Sequence, residues 1–202
     1  MKNILSNLEE ANLNISKQRR AELSEVARTI STHLQKSPVS LIFVCTHNSR
    51  RSVFAEVWAS VFIEHYNLPL KAYSGGTEVT AVNRNTLDCL ETLGFELNYD
   101  ASIDNPKVDI KLSEHSSLTA FSKLYNDAFN AQQNFFAMMM CQHAAENCPF
   151  IPNALGRINL PYKDPKAYDD SPLKGKKYTE TALLIGTEFR YLFGLVKDAL
   201  KQ

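Results

Sequence analysis

The 202-residue sequence predicts an α/β protein: a three-layer sandwich around a four-stranded parallel sheet, preceded by an N-terminal helical extension. Three observations predict it. Short apolar runs of strand length recur along the chain, helical apolar spacing lies between them, and the segment before the first run is helical throughout. Strands alternating with helices imply a parallel sheet covered on both faces, with sites at the carboxyl ends of the strands.

Residues 3–36 read as two amphipathic helices. The first carries Ile4, Leu5, Leu8, Ala11 and Leu13, the second Leu23, Val26, Ala27, Ile30 and Leu34, with Asn14 or Ser16 between them. No chemistry is assigned to them. Pro38 cannot continue a helix, so the extension is bounded at 1–38 and a catalytic domain at 39–202. That domain opens with a buried strand over Leu41–Val44, followed by a helix from Val53 to Tyr66. A second strand over Leu70–Ser74 ends at Gly75 and Gly76, and a helix from Arg84 to Leu93 is closed by Gly94. A third strand is expected over Phe135–Met140, a fourth over Arg157–Leu160, and a last helix over Thr179–Ala199. Residues 101–133 are less regular and suggest only a helix near Leu118–Phe129.

The hydrophobic share of 44%, the charged share of 22% and a net charge of zero are those of an ordinary globular protein. Nucleic acid is not an expected partner, because polyanion binding needs a generally basic face. Any anion must be held locally, so the substrate is a small oxyanion or one exposed group. No basic start followed by an apolar core marks a leader, and no segment has the apolar length that spans a bilayer, so no membrane partner and a cytoplasmic location are expected. In a reducing compartment the four cysteines, Cys45, Cys89, Cys141 and Cys148, point to redox or nucleophilic chemistry rather than structural disulfides.

The run Cys45-Thr46-His47-Asn48-Ser49-Arg50-Arg51-Ser52 stands between a strand and a helix. Main-chain N–H groups of a loop entering a helix create a pocket of positive potential that suits a tetrahedral oxyanion and favours a thiolate. Cysteines so placed beside a guanidinium have pKa values lowered to about 3.5–7.5, which makes Cys45 the expected nucleophile. Arg51 can hold two anion oxygens through its planar fork, and Ser52 can donate its hydroxyl to the sulfur.

VCTHNSRRS resembles the phosphate-binding loop of the low-molecular-weight tyrosine phosphatases and related arsenate reductases. The resemblance implies that fold, Cys45 as nucleophile, Arg51 as oxyanion clamp, Ser52 as thiolate stabiliser, Asn48 as shaper of the loop, and Thr46, His47, Ser49 and Arg50 as the rest of the anion-binding loop. Many members carry a second cysteine where this chain has Arg50, which is expected to be solvated or to add positive charge. Tyr73-Ser74-Gly75-Gly76-Thr77-Glu78 and Asn83 extend the likeness as structural positions. Glu56 matches a position that joins Asn48 near a potassium ion in some related reductases, though a glutamate on a helix face is more often solvated or paired. No organic cofactor is implied.

Displacing an oxygen from arsenate or a phosphoester requires a proton for the leaving group. Asp164-Pro165, after the fourth strand, is similar to the family's acid loop, so Asp164 is the candidate general acid. Cys141 and Cys148, six residues apart after the third strand, admit three readings: a metal pair with His143, two unrelated buried thiols, or a redox pair. With Pro149 and Pro152 they resemble the redox segment of thioredoxin-coupled arsenate reductases. That resemblance implies attack of Cys45 on arsenate, a Cys45–Cys141 disulfide, and then a Cys141–Cys148 disulfide reduced by thioredoxin. Cys89 is expected to pack in the core.

The leading reading is therefore an arsenate reductase with a thioredoxin-reduced cysteine relay. The second is a low-molecular-weight tyrosine phosphatase hydrolysing phosphotyrosine or small phosphoesters through a cysteinyl-phosphate intermediate. The third is a binding module or thiol redox sensor, for which Asp164 would be dispensable.

Overall fold

A computed structural model describes residues 5–6, 8–9, 13–147 and 150–201. The parallel sheet is formed by β1 (Val39–Cys45), β2 (Leu70–Gly76), β6 (Phe135–Met139) and β7 (Ala154–Asn159), in the order β2-β1-β6-β7. All four expected strands are present. The connection from β1 runs to one side and the return to β6 to the other, so the order reverses beside β1 and opens a crevice at its carboxyl end. Cys45 is the last residue of β1.

Helix α1 (Lys17–Leu34) starts at Ser16, whose hydroxyl accepts from the Arg19 N–H, and buries Leu23, Val26, Ala27 and Ile30. Of the helix expected before it, Leu5, Ser6, Leu8 and Glu9 have helical backbone; its remaining positions up to Asn12 lie outside the described residues. Helix α2 (Arg51–Tyr66) is buried on nearly all sides from Arg51 to Phe62, because it lies between β1 and β2 and the long helix α5 (Lys174–Ala199). Helix α1 packs on α5, and its last turn reaches β6 through His33 edge-on to Phe136. Helix α3 (Arg84–Thr92) is capped by the Asn83 carboxamide and ends at Gly94, whose φ of 97° takes the left-handed conformation expected there. The short helix α4 (Gln142–Asn147) follows β6 directly. Among the described residues no helix is long and apolar enough to cross a membrane.

The segment from 96 to 133 departs from the sequence expectation. A second, antiparallel sheet runs β3 (Glu96–Asn98), β4 (Val108–Lys111) and β5 (Ser117–Ala120). The helix expected near Leu118–Phe129 is absent. Its first residues pair with β4, and the rest are taken by turns in which side chains capture main-chain groups. Asp127 accepts from the Phe129 N–H, and Asn130 donates to the Leu124 and Tyr125 carbonyls.

Gly75 and Gly76 are required by close approach. A Cβ on Gly75 would lie 2.4 Å from Tyr125 Cα, and one on Gly76 would lie 2.7 Å from the Thr46 carbonyl oxygen and 2.9 Å from Asn48 N. These contacts are with backbone, which cannot swing aside. Gly76→Ala is expected to lower stability by about 1–3 kcal/mol, read as a fall in the urea midpoint at unchanged slope.

Candidate active site

The loop after β1 turns its carbonyl groups outward. The Cys45 carbonyl accepts from Thr77 N–H, that of Thr46 from Thr77 and Glu78, and that of His47 from the hydroxyls of Ser122 and Thr80. The Ser49 carbonyl accepts from Asn83 N–H and the Thr86 hydroxyl, and that of Arg50 from Phe54 N–H. In a trans peptide the N–H points opposite to the C=O. The same bonds therefore turn the N–H groups of Thr46, His47, Asn48, Arg50 and Arg51 to the inner side of the loop, where an oxyanion is attracted.

The Cys45 sulfur, 3% exposed, lies 3.0 Å from Ser52 Oγ. Ser52 Oγ accepts from Asn48 Nδ2 at 3.0 Å, which leaves its own hydrogen for the sulfur. Asn48 has φ of 47°, a left-handed conformation that asparagine tolerates. Its Nδ2 also donates to Ser74 Oγ at 2.8 Å, and its Oδ1 accepts from Lys123 N–H at 3.1 Å. Ser74 in turn donates to Glu56 Oε2 at 2.5 Å. Ser49 donates to the Ala81 carbonyl at 2.6 Å, and His47 Nε2 lies 3.3 Å from Glu78 Oε2 on the exposed side.

Glu56 and Lys123 are both buried here, so of the two alternatives for a glutamate on a helix face, solvated or paired, Glu56 takes the second. Burial pushes the Glu56 carboxyl up although Lys123 and Ser74 pull it down, and burial pushes the Lys123 ammonium down against the pull of Glu56 and Asp127. The Lys123 ammonium also lies 4.7 Å over the Phe121 ring and 5.4 Å from the Phe129 ring. Lys123 is thus a basic group acting on Glu56 from the turn after β5. Nothing in the sequence pattern singled out Lys123.

Arg51 is 9% exposed and directs Nη1 to the Tyr162 carbonyl at 3.1 Å and Nη2 to Asp164 Oδ2 at 2.5 Å. Its Nε is buried and has no hydrogen-bond partner among the described residues. Asp164 begins a short 3-10 turn (Pro165–Tyr168), where its Oδ1 accepts from Lys166 N–H. The loop is placed by pairing past the end of the sheet: Leu160 N–H donates to the Met139 carbonyl and Tyr162 N–H to that of Met140.

Arg50 is buried, which removes the first of the two roles expected for it, solvation. Its Nε donates to Tyr178 OH at 2.6 Å and its Nη2 to Asp169 Oδ2 at 2.5 Å, while Tyr178 OH donates to Asp169 Oδ1 at 2.5 Å. This brace ties the anion loop to the end of the acid loop and to α5. Asp169 and Tyr178 had no signature in the sequence beyond following Asp164-Pro165.

The register Val44↔Met139 places Cys141 just past the end of β6, beside the end of β1. Its sulfur is buried, accepts from Ala144 N–H at 3.3 Å, and lies 3.8 Å from Thr46 Oγ1, on the residue next to Cys45. His143 Nδ1 lies 3.3 Å from the same hydroxyl. Cys148 lies outside the described residues. Cys89 packs in the core as expected, where burial pushes its thiol up to about 12. The structure therefore gathers Cys45, Thr46, Asn48, Arg51, Ser52, Asp164 and Cys141 at one end of the sheet.

A reversed-order parallel sheet with a cysteine-to-arginine loop at the end of its central strand is the low-molecular-weight tyrosine phosphatase fold. The comparisons with known proteins agree. A YwlE mutant from Bacillus subtilis superposes with a TM-score of 0.51 at 16% identity, covering 79% of this chain and 99% of that one. An arsenate reductase from Archaeoglobus fulgidus gives 0.50 at 18% identity, covering 76% and 98%. In sequence the chain is 28% identical over 127 residues to arsenate reductase 2 of Staphylococcus saprophyticus, covering 62% of this chain and 78% of that protein. No protein-family model matches.

Partial burial pushes the Asp169 carboxyl up, but its hydrogen bonds with Tyr178 and Arg50 and the Arg50 charge leave it below the usual carboxylate range. Such a group stabilises the fold above its unfolded value of about 3.9 and loses that contribution as pH falls through the folded value. Asp169→Asn is accordingly expected to cost about 1–3 kcal/mol at pH 7. Urea unfolding of variant and parent at pH 7 and again at pH 3 should show the gap closing in acid.

Proposed function

We propose that the protein is an arsenate reductase in which Cys45, Arg51, Ser52 and Asp164 form an arsenate-binding and reacting centre and Cys141 and Cys148 form a thiol relay. Two findings support this reading: sequence relatives are named arsenate reductases, and the Cys141 sulfur lies within 3.8 Å of Thr46 Oγ1 at the rim of the anion loop. The contact is the observation that carries it, because a hydrolase acting through Cys45 alone needs no second thiol there. Arg51 Nε, which has no hydrogen-bond partner among the described residues, adds a buried donor for an anion oxygen.

In the proposed cycle the Cys45 thiolate attacks arsenic(V), and an arsenate oxygen departs as water with a proton from Asp164. Ser52 and the inward N–H groups stabilise the thiolate beforehand. The Cys141 thiolate then attacks the Cys45 sulfur. The S–As bond breaks with its electron pair left on arsenic, which leaves as arsenite, and a Cys45–Cys141 disulfide forms. Attack of Cys148 on Cys141 frees Cys45 and leaves a Cys141–Cys148 disulfide, which a dithiol reductant of the thioredoxin kind reduces.

Phosphoester hydrolysis is the second reading, favoured by Tyr168, which is 36% exposed four residues after Asp164 and could flank an aryl group. It requires only Cys45, Arg51 and Asp164.

Cys141→Ser and Cys148→Ser are each expected to abolish arsenate-dependent oxidation of thioredoxin while leaving inorganic phosphate binding within about twofold of the parent. Full turnover in both variants would reject the relay. Asp164→Asn is expected to lower kcat by about 10²–10⁴-fold for whichever substrate is used, and an unchanged rate would remove the acid role. Assays with arsenate plus thioredoxin and with an aryl phosphate, run on the same preparation, decide between the two substrates.

A further inference from the structure

Helix α1 lies outside the anion loop and the sheet, yet a buried polar chain connects the two. Arg19, in the first turn of α1, directs Nε and Nη2 to Glu188 Oε2 on α5, each at 2.9 Å. Tyr162 OH donates to the same oxygen at 2.5 Å, and the Arg19 guanidinium lies 5.1 Å over the Tyr162 ring. Glu188 is 4% exposed and Tyr162 is 7% exposed. The main chain of Tyr162 carries the acid loop: its carbonyl accepts from Arg51 Nη1, and Asp164 stands two residues on. One residue thus has its side chain fixed by α1 and α5 and its backbone fixed on the arginine of the anion loop.

The apolar side of α1 needs none of this. Leu23, Val26, Ala27 and Ile30 already dock the helix, and a buried ion pair adds little net stability over apolar residues of equal volume. What such a pair imposes is geometry. With Arg19 removed, Glu188 is a buried carboxylate whose remaining hydrogen-bond partner among the described residues is the Tyr162 phenol, and relief requires the carboxylate or Tyr162 to shift. A shift of Tyr162 moves the carbonyl that orients Arg51 and the start of the segment that presents Asp164.

We propose that Arg19 is a positioning residue, acting through Glu188 and Tyr162 to hold the acid loop and the Arg51 fork in register, so that the N-terminal helix is a working part of the active centre. The assignment rests on the roles of Arg51 and Asp164 given above.

The test uses the full chain with Arg19→Ala, Arg19→Lys and Glu188→Gln, and with Val26→Ala as a packing control that weakens α1 without touching the polar chain. Hydrogen exchange of segment 160–170 reports the acid loop through the N–H groups of Leu160, Tyr162, Lys166 and Asp169, all of which are hydrogen-bonded. Exchange there is expected to rise about tenfold in Arg19→Ala and Glu188→Gln, less in Arg19→Lys, and not in Val26→Ala, with residues 39–45 unchanged in all four. In turnover Arg19→Ala is expected to lose about tenfold in kcat, more for an aryl phosphate with a poor leaving group than for one with a good one, and to change KM about twofold. Val26→Ala should keep the parent kcat. Equal exchange in Arg19→Ala and Val26→Ala, or a kcat loss that does not depend on the leaving group, would overturn the positioning role. Should the parent protein turn over neither arsenate nor an aryl phosphate, the proposed function fails, and hydrogen exchange together with titration by inorganic phosphate still decides the role of Arg19.

Discussion

Asn48 holds the centre together. From a left-handed backbone it donates to Ser52 and Ser74 and accepts from the Lys123 main chain, so one carboxamide fixes the loop to α2, to β2 and to the turn after β5. The chain of donors continues from Ser74 to the buried Glu56 at one end and from Ser52 to the Cys45 sulfur at the other. Hydrogen bonds linked in this way polarise one another in a low-dielectric interior, and every member is needed for the next to have its partner. This network holds the loop from its side chains, beside the carbonyl hydrogen bonds that turn its N–H groups inward.

The sheet order does the remaining gathering. Because β1 and β6 are neighbours with divergent crossovers, the loop after each opens into the same crevice, and the pairing of Leu160 and Tyr162 with the end of β6 brings in the acid loop. Three segments distant in sequence therefore meet without a long connection. Two polar braces hold the acid loop at its ends: Tyr162 with Glu188 and Arg19 at the start, Asp169 with Arg50 and Tyr178 at the finish.

Much of this was legible in the residues. The four parallel strands are compact apolar runs bounded by turn residues, and the Cys45-to-Ser52 run has a spacing that few other uses of a loop require. What stayed hidden depends on long-range partners. Arg50 reads as a surface charge until Asp169 and Tyr178 are known to face it, and Lys123 reads as one more lysine until Glu56 and two phenyl rings close around it. The Leu118–Phe129 stretch misled because apolar residues there also fit a helix, while the deciding interactions were pairing with β4 and the side-chain captures by Asp127 and Asn130. Local spacing carries no record of either.

Arg51 serves two claimants. Its Nη2 donates to the Asp164 carboxylate and its Nη1 to the Tyr162 carbonyl, while its Nε has no hydrogen-bond partner among the described residues. Each Nη group carries a second hydrogen, so an anion approaching the Nε edge would meet the Asp164 carboxylate as a neighbouring negative charge. The guanidinium charge is already partly offset by Asp164, so any second anion there meets a weaker field than a bare arginine would give.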